Sequence, residues 1–209
     1  MESGRGIFID FDGTLCDSIS LLEDAYLRFL DHFGVIGTAT EFRSLIGPTV
    51  PEIVVTLKKI HCLEASVGEL TQEFEHQIAA IYDRVPPMPG AVPFVQMVFT
   101  SGWKVVVVTS NSERVTKAWL EEKQLTGFIQ GVFGRESVKN GKPAPDLYLK
   151  ALEASGCTVS RSIAIEDSPR GAEAAIAAGL KTYVLTNEPN GSPKRAKWVK
   201  SFSEVLSEL

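Results

Sequence analysis

The sequence predicts a doubly wound, mostly parallel α/β sheet with an α-helical cap inserted after its first strand. Three observations predict it. Short apolar runs rich in β-branched residues recur along the chain and are nearly continuous rather than alternating, as expected of parallel strands covered on both faces. Helical patterns separate them, which is the rhythm of a doubly wound sheet. One section, from about residue 18 to 84, is helical in pattern and carries no convincing strand.

Taken in order, the first strand is "GIFIDF" (6–11). The inserted section then reads as helices: "SLLEDAYLRFLDHFG" sets Leu22, Tyr26, Phe29, Leu30 and Phe33 at helical spacing, and "VPEIVVTLKKIH" and "SVGELTQEFEHQIAAIYDR" continue the style. The proline-rich "VPPMPG" (85–90) closes it, so the expected division is a core of 1–15 and 87–209 around a cap of 16–86. A helix over 91–101 leads into "WKVVVVTS" (103–110), followed by a helix over 112–125 and the short strand "GVF" (131–133). A helix over 145–156 precedes "SIAIED" (162–167). The helix after that strand has Ser168 as N-cap, Pro169 at its first position and Gly179 as its stop. "KTYVL" (181–185) is the next strand, and "WVKSFSEVLSEL" reads as a closing strand and helix.

With 209 residues, 44% of them hydrophobic, the chain can bury a sizeable core. A net charge of −5 and a pI near 5.3 argue against a nucleic-acid partner, and the basic cluster Lys194, Arg195, Lys197 and Lys200 reads as a solvated face. Cys16, Cys62 and Cys157 stand singly, without metal-ligand spacing or a disulfide framework. The start "MESGRGIFID" lacks a long apolar segment and no run reaches membrane-spanning length. Together these predict a cytoplasmic protein with no membrane partner, monomeric or homodimeric.

In a parallel α/β sheet, ligands bind outside the carboxyl ends of the strands. There the first strand delivers Asp10 and Asp12, the second Thr109, Ser110 and Asn111, and "SIAIED" Glu166 and Asp167, while "GKPAPD" places Lys142 ahead of a helix. Residues two apart in an extended segment share a side, so Asp10 and Asp12 can face one site while Phe11 packs away and Gly13 lets the chain turn. Crowded carboxylates need a cation, and hard oxygen donors suit Mg²⁺. Thr109, Ser110 and Asn111 offer hydroxyls and free N–H groups to an anion at a helix start. Each piece alone also fits a turn, an N-cap or a solvated lysine. Four segments converging on one rim make a site.

"DFDGTL", "VVVVTSN", "GKPAPD" and "IEDSPRGAEAAIAAG" resemble the four motifs of the haloacid dehalogenase superfamily, in its order and spacing. The last resembles the branch that includes phosphoglycolate phosphatase and β-phosphoglucomutase, whose helical cap the inserted section is similar to. The resemblance implies that Asp10 is the nucleophile, forming an aspartyl-phosphate, and Asp12 the general acid/base. Thr109 and Lys142 would hold phosphoryl oxygens, and Mg²⁺ would be bound by the Asp10 side chain, the Asp12 backbone carbonyl and Asp167, with Glu166 nearby. A small phosphorylated metabolite is the implied partner, phosphoglycolate the first candidate, with a nucleoside monophosphate or pyrophosphate behind it.

Within the superfamily, Asp12 argues against a dehalogenase, which needs no leaving-group acid. Mutases of this branch carry a histidine where this chain has Leu22 and a cap arginine where "LIGPTVPEI" offers Thr49 and Val50. Lys58 and Lys59, the only lysines placed for a cap Schiff base, read as solvated. Gly47, Pro48 and Thr49 are the expected cap loop at the substrate. A phosphomutase and a non-catalytic binding protein remain the alternatives. His32, His61 and His76, and Trp103, Trp119 and Trp198, read as packing or surface residues.

Overall fold

The computed structural model describes residues 4–186 and 193–209. Six strands, β1 (Gly6–Ile9), β2 (Lys104–Val108), β3 (Ile129–Phe133), β4 (Ile163–Glu166), β5 (Lys181–Leu185) and β6 (Lys197–Val199), form one sheet in the order β3-β2-β1-β4-β5-β6. Every pairing is parallel. Chain order runs outward from β1 on one side and then returns to its other side at β4, so the strand order reverses beside β1. That reversal opens a crevice at the carboxyl ends.

The apolar runs are continuous because both faces are covered. Ile7, Ile9, Val105, Val107, Ile163 and Ile165 belong to one core, against α5 (Ala91–Thr100), α6 (Glu113–Glu122) and α9 (Phe202–Leu206). The intervening Phe8, Val106, Val108 and Ala164 belong to a second, with Leu147, Tyr148 and Ala151 of α7 (Asp146–Ser155) and Ala174 and Ala175 of α8 (Pro169–Ala177). Burying each such Val, Ile or Phe contributes about 1.5–3 kcal/mol.

Between β1 and α5 the described backbone holds four helices and no strand: α1 (Ile19–His32), α2 (Ala39–Ser44), α3 (Val50–His61) and α4 (Val67–Ala79). Phe29 of α1 stacks on Phe74 of α4 with ring centroids 4.8 Å apart. The chain leaves and returns along paired segments, Asp17 N–H donating to the Pro86 carbonyl (2.9 Å) and Met88 N–H to that of Leu15 (3.0 Å).

The pattern "SVGELTQEFEHQIAAIYDR" does not run as one helix. α4 stops at Ala79 and a separate 3₁₀ turn covers Tyr82–Arg84. α2 had no clear periodicity because only Phe42 of its six residues is buried. It is held by its cap, the Thr38 hydroxyl accepting from Glu41 N–H at 3.2 Å. At α8, Ser168 accepts from Gly171 N–H (3.1 Å) and Pro169 opens the helix. The basic residues near the C-terminus are exposed, with Lys197 paired to Glu208. Trp119 is buried and donates to the Val85 carbonyl at 2.9 Å; Trp103 and Trp198 are half-buried. His32 and His76 are exposed, while His61 lies 2.8 Å from Glu41. No helix of the described residues is long and apolar enough to cross a membrane.

Candidate active site

β1 ends at Ile9, and the chain then folds back on itself: Leu15 and Cys16 N–H both donate to the Phe11 carbonyl at 2.9 Å. Asp10 and Asp12 both reach the cavity over the strand ends, while Phe11 is buried, stacked on Tyr82 at 5.7 Å and edge-on to Trp119 at 5.2 Å. The turn depends on Gly13. Its φ is +78°, and a Cβ there would lie 2.1 Å from Asp167 Oδ2.

Lys142 is the electrostatic centre. Its ammonium donates to Asp10 Oδ1 (2.5 Å), Glu166 Oε1 (2.6 Å) and the Val108 carbonyl (2.9 Å), and only 4% of the residue is exposed. Burial alone would lower its pKa, but the Asp10 and Glu166 carboxylates outweigh that and hold it above the ordinary lysine value. Its backbone is tied in turn, Arg170 Nη2 donating to the Lys142 carbonyl at 2.6 Å. Tyr148 donates to the same Glu166 oxygen. Behind it, a Cβ on Gly171 would stand 1.9 Å from Glu166 Oε2.

Asp10, Glu166 and Asp167 each offer an oxygen within 4.8 Å of the others. Three carboxylates against one ammonium leave two negative charges in excess. Burial, reinforced by the charge of Glu166, accordingly pushes Asp10 up to about 7 despite Lys142, and burial pushes Asp167 well up too. Glu166 Oε2 is buried with no hydrogen-bond partner. A divalent cation fits this donor set: the oxygens are hard, the charge deficit is two, and a carboxylate oxygen is left over.

Asp12 is not in that cluster. Its Oδ1 accepts from Ser18 Oγ (2.7 Å) and from the Tyr82 hydroxyl, and its Oδ2 from Asn111 Nδ2 (2.9 Å). Asn111 Nδ2 also donates to the Tyr82 oxygen at 2.6 Å. Asn111, expected to meet an anion, is therefore turned toward Asp12. Thr109 is buried, its Oγ accepting from Asn111 N–H at 2.9 Å, which leaves its own hydrogen for an anion in the cavity; Ser110 lines the same wall.

On the opposite wall Gly47 and Pro48 line the cavity, but Thr49 does not. Thr49 starts α3, its N–H and hydroxyl both donating to Glu52 Oε2 at 2.7 and 2.9 Å, so the need to cap the helix turns it away from the cavity. Leu22 lines the cavity. Lys59 is exposed, whereas Lys58 is not simply solvated: it donates to the Leu63 (2.5 Å) and Ala65 (2.7 Å) carbonyls beyond the end of α3. Sequence reading missed Tyr82, Tyr148, Arg170 and Gly171. Tyr82 sits in an unremarkable "AIYDRV" and acts across 70 positions of chain.

A parallel sheet with carboxylates, hydroxyls and a buried lysine gathered at its carboxyl ends has the architecture of an α/β enzyme. The family follows from comparison: the haloacid dehalogenase-like hydrolase model matches residues 7–185, and the chain belongs to that family. It is 27% identical, over 97% of its length, to the bifunctional riboflavin kinase/FMN phosphatase of Arabidopsis thaliana, of which it spans about half (53%). It is 26% identical to the phosphorylated carbohydrates phosphatase of Thermotoga maritima, over 85% of this chain and 82% of that one. The crystal structure of β-phosphoglucomutase from Clostridium difficile shares the fold, with a TM-score of 0.85 at 18% identity over 98% of this chain and 96% of that one.

Proposed function

We propose that this chain is a Mg²⁺-dependent phosphomonoesterase that works through an aspartyl-phosphate on Asp10. The observation that carries the reading is the Lys142 ammonium set between Asp10 and Glu166 at the floor of a cavity that Asp12 also lines. Asp10 attacks phosphorus and the bond to the alcohol oxygen breaks, with Asp12 giving that oxygen its proton. Asp12 then takes a proton from water, which attacks phosphorus, breaks the bond to Asp10 and releases inorganic phosphate. A covalent intermediate divides one difficult displacement into two easier ones.

Positioning and charge do most of the work in phosphoryl transfer. Mg²⁺, held by Asp10, Asp167 and Glu166 with the Asp12 backbone carbonyl, would neutralise the gathered negative charge. Lys142 has its three donors engaged, so it takes a phosphoryl oxygen by exchanging one of them, and Thr109 offers a hydroxyl beside it. Ser18, Tyr82 and Asn111 all donate to Asp12, which suits the half-reaction in which it removes a proton from water. In the first half the proton is given from Oδ2, which accepts only from Asn111 and has a lone pair to spare.

Residues 16–86 act as a cap over the rim and keep bulk water from the phospho-enzyme. Arg170–Glu52 (3.5 Å) and Arg135–Glu75 join the two parts. The mutase alternative loses support because Leu22 gives the cavity a hydrocarbon surface with no proton to relay. Three unbridged cysteines support a cytoplasmic setting. Phosphate release from a panel including phosphoglycolate, sugar phosphates and FMN, with Mg²⁺ and with EDTA, tests the reading. Metal-dependent release that Asp10→Asn abolishes upholds it; equal release by wild type and Asp10→Asn overturns it.

A further inference from the structure

The cavity has two chemically distinct walls. The wall formed by the strand ends is polar and carries Asp10, Asp12, Thr109, Ser110, Lys142 and Asp167. The wall formed by the inserted helices is hydrocarbon: Ile19, Leu22, Phe42, Ile53, Phe74 and Ile78 face it from all four helices. Among the described residues, no charged side chain of segment 16–86 lines this space. The one polar side chain of that segment lining it, Tyr82, has its hydroxyl engaged by Asp12 and Asn111. Two charged cap side chains of α3 are committed elsewhere. Glu52 is tied to Thr49 and Arg170, and Lys58 to carbonyls at the end of α3.

The geometry points to a substrate whose alcohol half is apolar: a short alkyl phosphomonoester rather than a sugar phosphate or a phosphorylated hydroxy acid. This rests on the phosphatase reading above and names the substrate class of that same site. The phosphoryl group belongs at the polar wall, so its alcohol oxygen faces Asp12 and the carbon skeleton extends against the hydrocarbon wall. A carboxylate on that skeleton, as in phosphoglycolate, would be taken out of water with no cation to meet it, because Lys142 serves Asp10 and Glu166. Several hydroxyls would be stripped of water with no partners. An apolar skeleton leaves nothing unpaired. The free volume is about 110 Å³, less than the about 150 Å³ of an apolar protein cavity that accommodates benzene, which favours a short chain over a ring.

The test is kcat/KM, at fixed Mg²⁺, for n-alkyl phosphates from ethyl to hexyl beside 2-phosphoglycolate, glycerol 3-phosphate and a hexose 6-phosphate. The alkyl series keeps the leaving oxygen chemically constant, so only burial changes. The expected result is a rise of roughly fourfold per added methylene until the cavity is full, with the best alkyl ester at least about tenfold above phosphoglycolate and the sugar phosphate. Ile53→Arg, which puts a cation into the hydrocarbon wall, should flatten the alkyl series and raise phosphoglycolate relative to it, with thermal melting reporting whether the variant folds. A flat alkyl series, or preference of the wild-type enzyme for phosphoglycolate or the sugar phosphate, overturns this inference and leaves the phosphatase reading standing. No phosphate release from any compound overturns the phosphatase reading and this inference with it.

Discussion

Gly171→Ala inverts an ordinary expectation. Gly171 lies in the first turn of α8, where alanine is normally better than glycine by about 1 kcal/mol. Here the new Cβ would stand 1.9 Å from Glu166 Oε2 and 2.2 Å from its Cδ. An exposed glutamate would swing aside. Glu166 is fully buried, and Lys142 and Tyr148 hold its other oxygen. Making room means displacing a carboxylate from a buried ion pair, at about 3–5 kcal/mol. Setting the propensity gain against that, the variant should lose about 2–4 kcal/mol, a large part of a typical domain's stability. Urea unfolding with linear extrapolation measures it. Gly68→Ala in α4 is the control: its nearest neighbour would be Ser66 Oγ at 3.9 Å, so it should be neutral or stabilising by up to about 1 kcal/mol. Adding Glu166→Asp to Gly171→Ala shortens the carboxylate and should restore part of the loss. A Gly171→Ala protein as stable as wild type would refute the picture of Glu166 as a fixed partner of Lys142.

Other perturbations separate the remaining parts of the site. Tyr82→Phe removes one donor to Asp12, an interaction with a charged group of about 1.5–3 kcal/mol; kcat should fall ten- to hundredfold with KM little changed in steady-state assays. Lys142→Met leaves Asp10 and Glu166 without their cation and should cost about 3–5 kcal/mol in urea unfolding as well as all measurable turnover. Thiol labelling of the native protein should reach exposed Cys62 quickly. Cys16, fully buried and with its thiol pushed up by burial, should react only after denaturation.

The strands were legible because parallel strands buried on both faces leave an unbroken apolar record, as in "KVVVV" and "KTYVL". The rim residues were legible because strand ends converge, so Asp10, Asp12, Lys142 and Asp167 meet at one cavity. What was not legible depended on contacts between distant segments. Tyr82 reaches Asp12 only once the insertion folds back, and no local pattern marks it. Asn111 reads as an anion donor at a helix start; its side-chain amide also donates to Asp12, in the turn after β1, a contact no local pattern marks. Thr49, expected at the substrate, caps α3 and is not among the residues lining the cavity. The two-walled character of the cavity was hidden for the same reason, since its hydrocarbon side is assembled from four helices, three of which read as ordinary amphipathic elements while α2 shows no clear period.

Trapping the phospho-enzyme tests the nucleophilic role of Asp10 most directly. Wild-type protein turning over a good substrate with Mg²⁺ is quenched in acid, and the peptide containing Asp10 is examined by mass spectrometry. Nucleophilic catalysis predicts one phosphoryl group on Asp10, absent when the enzyme is quenched without substrate and absent in Asp10→Asn. Rapid phosphate release with no covalent adduct on wild type, and turnover retained by Asp10→Asn, would contradict it.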